Sequence, residues 1–146
     1  MAQAATNKGK YLFATGGIVP GTTVLKMGLL KTCANVATSA PDINFISDME
    51  AHADYAELTA SGYARVTVPG GAAAENDGSD YANISMTAVN FAAISAGETI
   101  VGAFIFRDTG VADTTREVIA IYDISPSIPT NGSTVTINAG DFARIA

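Results

Sequence analysis

The sequence predicts an all-β, mainly antiparallel fold: a β-sandwich or small barrel of about eight short strands, with room for one short helix. Three observations carry this. The run Thr99-Ile100-Val101-Gly102-Ala103-Phe104-Ile105-Phe106-Arg107 is nearly unbroken apolar sequence, rich in β-branched and aromatic residues, and it stops at Asp108-Thr109-Gly110. A second run, Val118-Ile119-Ala120-Ile121-Tyr122-Asp123-Ile124, follows after a polar loop. Turn residues punctuate the rest at short intervals. Apolar runs this short fit strands covered on both faces, whereas β-branched residues stiffen and crowd a helix. The two runs read as a central antiparallel hairpin.

The remaining elements follow in order. Met1–Gly9 has little to bury and reads as a flexible arm, leaving 10–146 as one β-sandwich domain. Lys10–Thr15 reads as a first short strand, ended by Gly16-Gly17. Thr22–Thr32 reads as the next, with Thr23, Leu25, Met27, Leu29 and Lys31 on its core side. Cys33–Asp42 is small and polar and reads as loop. Ser47–Leu58 is the one plausible helix, with Ser47 as cap and Glu50 as its capping-box partner. The other reading of this segment is extended and irregular, with a strand-like end. Tyr63–Val68 alternates, with Ala64, Val66 and Val68 inward. Ala72–Asp80 reads as a hairpin connection turning at Asp77-Gly78. Tyr81–Met86 is a strand with Ile84 and Met86 inside, and Val89, Phe91 and Ile94 follow at core spacing. Pro126–Gly132 reads as loop. Ser133–Asn138 is a strand with Val135 and Ile137 inside, and Phe142–Ile145 is the last.

Composition limits the function. The 146 residues suit one domain with a real core. Only 15% are charged, against about 25% in an ordinary soluble domain. Either neighbouring subunits cover part of the surface, or small polar residues clothe a β protein. The net charge is −6 and the eight Lys and Arg residues are scattered, which argues against nucleic acid and against an anionic membrane as partner. The single cysteine, Cys33, excludes an internal disulfide and a cysteine-based zinc site within the chain. It reads as a small apolar residue near a strand end. Met1–Lys10 lacks the apolar core of a signal peptide, so the expected site of synthesis and assembly is the cytoplasm.

Candidate chemistry is sparse. Asp48, Glu50, Asp54 and Glu57 lie close together with His52, but hard-cation sites need oxygens converging in a fixed loop, and a solvated face is the better reading. Asn76, Asp77 and Asp80 lack the terminal Glu of a calcium loop. No phosphate loop, nucleophile elbow or Ser-His-Asp order is present, and an enzyme is not expected. No cofactor and no metal is expected. Arg107, Asp108, Asp113 and Arg116 flank the tip of the central hairpin. Their two readings are local ion pairing, worth little each, or contact with a neighbouring subunit.

The second half of the chain carries a resemblance. Gly62-Tyr63-Ala64-Arg65-Val66 is followed by the Thr99–Phe106 strand running into Arg107-Asp108-Thr109-Gly110. Then come Val118–Ile124, Pro129-Thr130-Asn131-Gly132 and Ser133-Thr134-Val135-Thr136-Ile137. This order resembles a family of small tailed-bacteriophage virion proteins, in which "GY.R" precedes a "KDTG" hairpin, an "IAYIDF" strand and a "TNG…VTI" ending. More loosely, Lys26 and Leu29 and the Phe45-Ile46-Ser47-Asp48 segment match its first part. The resemblance implies a structural part of the virion without catalytic residues. The expectation is a capsid decoration (cement) protein on the capsid surface that binds the major capsid protein. Self-association is also expected, most simply a cyclic trimer. The interface candidates are Lys8, Lys10, Tyr11, Arg107, Asp108 and Arg116. The rival expectation is a tail or head-fibre component contacting the host, with Tyr55, Tyr63 and Tyr81 as candidates for stacking on sugars.

Overall fold

The computed structural model describes residues 3–69, 71–77, 81–138 and 140–145. In chain order the elements are β1 (Gln3–Ala5), α1 (Asn7–Ala14), β2 (Leu25–Cys33), α2 (Val36–Ser39), a 3-10 turn (Ala40–Asp42), α3 (Ile46–Ala51), β3 (Tyr55–Glu57), β4 (Val66–Thr67), β5 (Ala72–Asn76), β6 (Tyr81–Met86), β7 (Val89–Phe91), β8 (Thr99–Arg107), β9 (Glu117–Pro129), β10 (Val135–Ile137) and β11 (Gly140–Ile145). All strand pairs are antiparallel. The all-β prediction holds, with eleven strands and three short helices among the described residues.

β8 and β9 do form the central hairpin, within a sheet ordered β1-β9-β8-β2-β3, and β4 adds to β2 beside β3. Successive residues of a strand point to opposite faces. In β8, Ala103 and Ile105 enter one apolar cluster, while Phe104 and Phe106 enter another. The first cluster packs the sheet against two small sheets, β11-β6-β5 and β10-β7, through Ile84, Met86, Val89, Phe91, Val135 and Ile137. The second lies beneath the helical segment, through Val36, Ala40, Ile43, Ile46, Met49 and Tyr55. Burial on both faces is why the two central strands read as continuous apolar runs.

Several expectations are corrected. Residues 3–9 are not a free arm: Gln3, Ala4 and Ala5 pair with Tyr122, Ile121 and Ala120 of β9. Met1 and Ala2 lie outside the described residues. A bulge in β9 explains the attachment. Ile105 stands opposite Ala120 but Phe106 opposite Val118, so Ile119 is the extra residue. Its carbonyl turns to Thr6, accepting from the Thr6 N–H at 2.9 Å. The fully buried Thr6 hydroxyl donates to Val118 O at 2.6 Å and accepts from Gly9 N at 2.8 Å, capping α1. With that cap in place, Lys10–Thr15 belongs to a helix rather than a strand. It buries Leu12 and leaves Tyr11 60% exposed.

Cys33–Asp42 is helical over α2 and the 3-10 turn, not loop. The expected Ser47–Leu58 helix is only Ile46–Ala51. Ser47 is not its cap; the Asp48 carboxylate accepts from the N–H groups of Phe45 (2.9 Å) and Asn44 (3.2 Å). Beyond it the chain is extended, with β3 as its strand-like end. The Tyr63–Val68 strand shrinks to two residues, with Ala64 exposed and Tyr63 and Arg65 half-buried. Ala72–Asn76 is a strand rather than connection, and the Asp77-Gly78 turn falls outside the described residues from Gly78 onward. β9 runs through the expected loop as far as Pro129, because Ile128 and Pro129 lie opposite Ile100 and Thr99.

Candidate interface at the hairpin tip

The β8–β9 tip, residues 108–116, is built by local polar bonds. Asp108 Oδ1 accepts from Gly110 N at 3.1 Å, and Gly110 takes a φ of +75°, which a side chain would oppose. The Thr109 and Thr115 hydroxyls lie 3.2 Å apart. From the tip an ion-pair chain crosses the sheet. Lys26 Nζ lies 2.7 Å from Asp108 Oδ2, and Asp108 Oδ1 lies 3.3 Å from Arg116 Nε. Arg116 Nη1 reaches Asp113 Oδ1 at 2.8 Å. Asp113 is then held by both terminal nitrogens of Arg65, at 2.6 and 3.1 Å.

Arg65 is the hub. Its Nε and Nη2 also donate to the two oxygens of Glu57, at 2.8 and 2.6 Å, and Nη2 lies 3.3 Å from Glu50. The guanidinium sits 5.7 and 5.5 Å from the ring centres of Phe104 and Phe106, so it also covers one end of the apolar face. Burial opposes its charge, but the bonds to Glu57 and Asp113 outweigh that and raise its pKa. The bond from Arg65 holds Asp113 below the usual carboxylate range, and the Lys26 ammonium does the same for Asp108. Glu50 moves up instead, through burial and the charge of Asp113.

Tyr63 extends the network into the sheet. Its hydroxyl donates to Glu57 Oε1 at 2.5 Å and accepts from Leu29 N at 2.9 Å. Leu29 lies on the β2 edge between the stretches paired with β3 and β4, so the phenol stands in for a missing strand partner. Burial, then the Glu57 charge, raises its pKa. The neighbouring Gly28 is obligatory: a Cβ there would stand 2.3 Å from the Phe104 ring.

The same end of the sheet gathers four of the six residues singled out from the sequence. Asp108 and Arg116 are in the chain just described. Lys8 Nζ lies 3.1 Å from Glu117 Oε1, and Arg107 Nη2 lies 2.5 Å from the other oxygen of that buried carboxylate. Arg107 Nη1 also donates to Gly17 O at 3.1 Å. Lys10 and Tyr11 are exposed on α1. Among the described residues the large exposed apolar side chains are Tyr11, Val19, Val24 and Val111. Val24 O accepts from Asp108 N at 3.2 Å, and Val111 is in the tip itself. Arg65 and Glu117 were not among the interface candidates read from the sequence, and Glu57 was read only as part of the acidic cluster around His52. The signal for Arg65 was its place in Gly62-Tyr63-Ala64-Arg65; for Glu117 no local signal exists.

A second fastening joins the far ends of β2 and β8. The Glu98 carboxylate takes Lys31 Nζ at 2.7 Å, Thr59 N at 2.8 Å and Ala60 N at 2.7 Å. These partners, Lys31 first, bring its pKa down to about 2. The buried Thr130 hydroxyl bonds both backbone groups of Glu98, accepting from its N–H at 3.1 Å and donating to its carbonyl at 2.9 Å.

The other candidates are dispersed. Asp48 caps α3, His52 Nδ1 accepts from Asp54 N at 3.3 Å, and Glu50 and Glu57 belong to the Arg65 network. His52 ends α3, so it does not share a helix face with Asp48. Among the described residues, no three His, Cys, Asp or Glu side chains gather to hold a metal ion. Asp80 of the proposed loop lies outside those residues. Tyr55 is buried with its hydroxyl 2.6 Å from Ser39 Oγ, and Tyr63 is bonded as above, so neither offers a free ring; the Tyr81 side chain is outside the described set. Cys33 lines a hollow of about 300 Å³ with Asn35, Val36, Thr38 and Asp123, and burial, then Asp123 and Asp54, pushes its thiol up to about 12. Among the described residues, no helix is long and apolar enough to cross a membrane. The sequence matches no protein-family model, and no curated protein and no solved structure matches it.

Proposed function

We propose that this chain is a structural protein of a tailed-phage virion, a capsid decoration protein that binds the lattice of the major capsid protein through protein–protein contacts. The observation that carries the reading is where the motif residues go. Tyr63, Arg65, Asp108, Gly110 and Thr130 are among the polar and glycine positions of the virion-protein pattern, and each holds a strand edge, a turn or the hairpin tip in place. Side chains used this way make a stiff scaffold that presents a surface. Val24 and Val111, exposed at the tip end, and Tyr11 and Val19, exposed on the chain before β2, are the large apolar side chains left for a contact among the described residues.

Residues 3–9 do not supply a flexible arm for this contact, because they are strand and helix in their own chain. The test is the copy number per purified virion, by quantitative mass spectrometry against the major capsid protein. A ratio near one to one is expected. A few copies per particle would overturn decoration and move the protein to the tail or a head fibre.

A further inference from the structure

β5 is an edge strand of an unusual kind. Natural edges are blunted by shortness, by bulges, by charged side chains, Lys above all, and by Pro. The other outer strands of these sheets follow that rule: β1 and β3 are three residues long, β4 is two, and β11 has a register shift between Asp141 and Ala143. β5 does not. Its five residues hold one continuous register against β6, from Ala72 opposite Ser85 to Asn76 opposite Tyr81. It contains neither Lys nor Pro, its one charged residue is Glu75 near its end, and no strand lies on its outer side among the described residues.

The faces of residues 72–74 are bare as well. Ala72, Ala73 and Ala74 are all exposed, although a strand over a core should hide alternate residues. Ala73 stands opposite Ile84, which is only 2% exposed, so β5 overhangs the core that β6 covers. A free edge flanked by methyl groups on both sides is a template for another strand.

We propose that β5 pairs with β5 of a second copy about a two-fold axis, joining two three-stranded sheets into one of six. The sequence Ala72-Ala73-Ala74-Glu75-Asn76 is self-complementary in an antiparallel register centred on Ala74. Ala74 then faces Ala74 of the partner subunit, and Glu75 faces Ala73 of the partner subunit rather than a second glutamate. Like charges directly opposite destabilise a strand pair, and this register avoids them. A two-fold contact of this kind closes on itself. It would replace the cyclic trimer expected from the sequence, and it does not depend on where in a virion the protein sits.

Light scattering coupled to size exclusion tests this on the full chain. The wild type is expected at twice the 14.9 kDa chain mass. Ala74→Lys and Ala74→Glu each place like charges across the axis, and each is expected to run as a monomer with an unchanged far-ultraviolet spectrum. Mixed in equal amounts, the two variants should form a heterodimer. Ala74→Cys in a Cys33→Ser background should form a disulfide dimer on mild oxidation, which keeps the test open if the charged variants do not fold. A monomeric or three-chain wild type overturns the proposal. So does a dimer indifferent to Ala74→Lys, or a mixture of folded variants that stays monomeric.

Discussion

Arg65 holds two carboxylates from opposite sides, and the cost of losing it follows from that. The side chain is 18% exposed and Glu57 is 14% exposed, so removing the guanidinium takes from Glu57 and Asp113 their forked partner in a partly desolvated place. Tyr63 still bonds Glu57 and Arg116 still pairs with Asp113, so Arg65→Ala is expected to lower unfolding free energy by about 1–2 kcal/mol, between an exposed and a fully buried pair. Urea denaturation measures it. Arg65→Lys should recover only part, because an ammonium cannot form two forked pairs at once. Equal stability of the wild type and the alanine variant would remove Arg65 as hub. Gly9 makes a second prediction at this scale. A Cβ there would lie 2.4 Å from the carbonyl oxygen of Ile119, a backbone atom that Thr6 also needs. Gly9→Ala should destabilise by about 1–3 kcal/mol, as overpacking does. A thermal melt no lower than wild type would show that α1 can shift aside.

At the scale of elements, loops and strand ends are tied by carboxylates with depressed pKa values, and this sets the acid limit of the fold. Glu98 is the strongest case, down from an ordinary 4.5 to about 2 through Lys31 and the Thr59 and Ala60 N–H groups. Asp108 and Asp113 shift in the same direction. A group with a lowered folded-state pKa stabilises the fold above its unfolded value, and that stability is lost as pH falls through the folded value. For Glu98 the window runs from about 4.5 down to about 2. Urea midpoints measured across it should fall for the wild type and change less for Glu98→Gln, which is weaker at neutral pH. An identical acid slope in both would show that the Glu98 clamp does not set it.

At the scale of the whole molecule, a β-hairpin core is wrapped on one face by small sheets and on the other by helical turns, with the N-terminal strand closing one edge. Deleting residues 1–9 therefore removes β1, the Thr6 cap and the start of α1 together. The expected result is a lower melting temperature and loss of protection in β9, read by hydrogen exchange at 119–122. A truncated chain with wild-type melting would return these residues to the role of a dispensable arm.

Much of the sheet was legible in the sequence for one reason: burial leaves a local, periodic mark. β8 was read at Thr99–Arg107 and β6 at Tyr81–Met86, and the inward residues Ile84, Met86, Val135 and Ile137 follow from alternation alone. The hairpin-tip turn was likewise written in Asp108-Thr109-Gly110. Where a segment is short and weakly patterned, local preference does not decide. Lys10–Thr15 is a short apolar run before Gly16-Gly17 that suits a strand, yet it is helix because Thr6 caps it against Val118, 112 residues away at the bulge. Ala72–Asn76 carries no strand signal of its own and becomes one by pairing with β6. The charged interface candidates Lys8, Arg107, Asp108 and Arg116 were drawn together by the same long-range logic. Sequence located Arg65 and Asp108 within motifs and Arg116 beside the hairpin tip, but the join between Arg65 and Asp113 spans 48 residues, and only the folded sheet brings them together. Hydrophobic periodicity is a property of neighbours in the chain, and it determined the strands. Charge pairing and strand addition are properties of neighbours in space, and only the tertiary structure decided them.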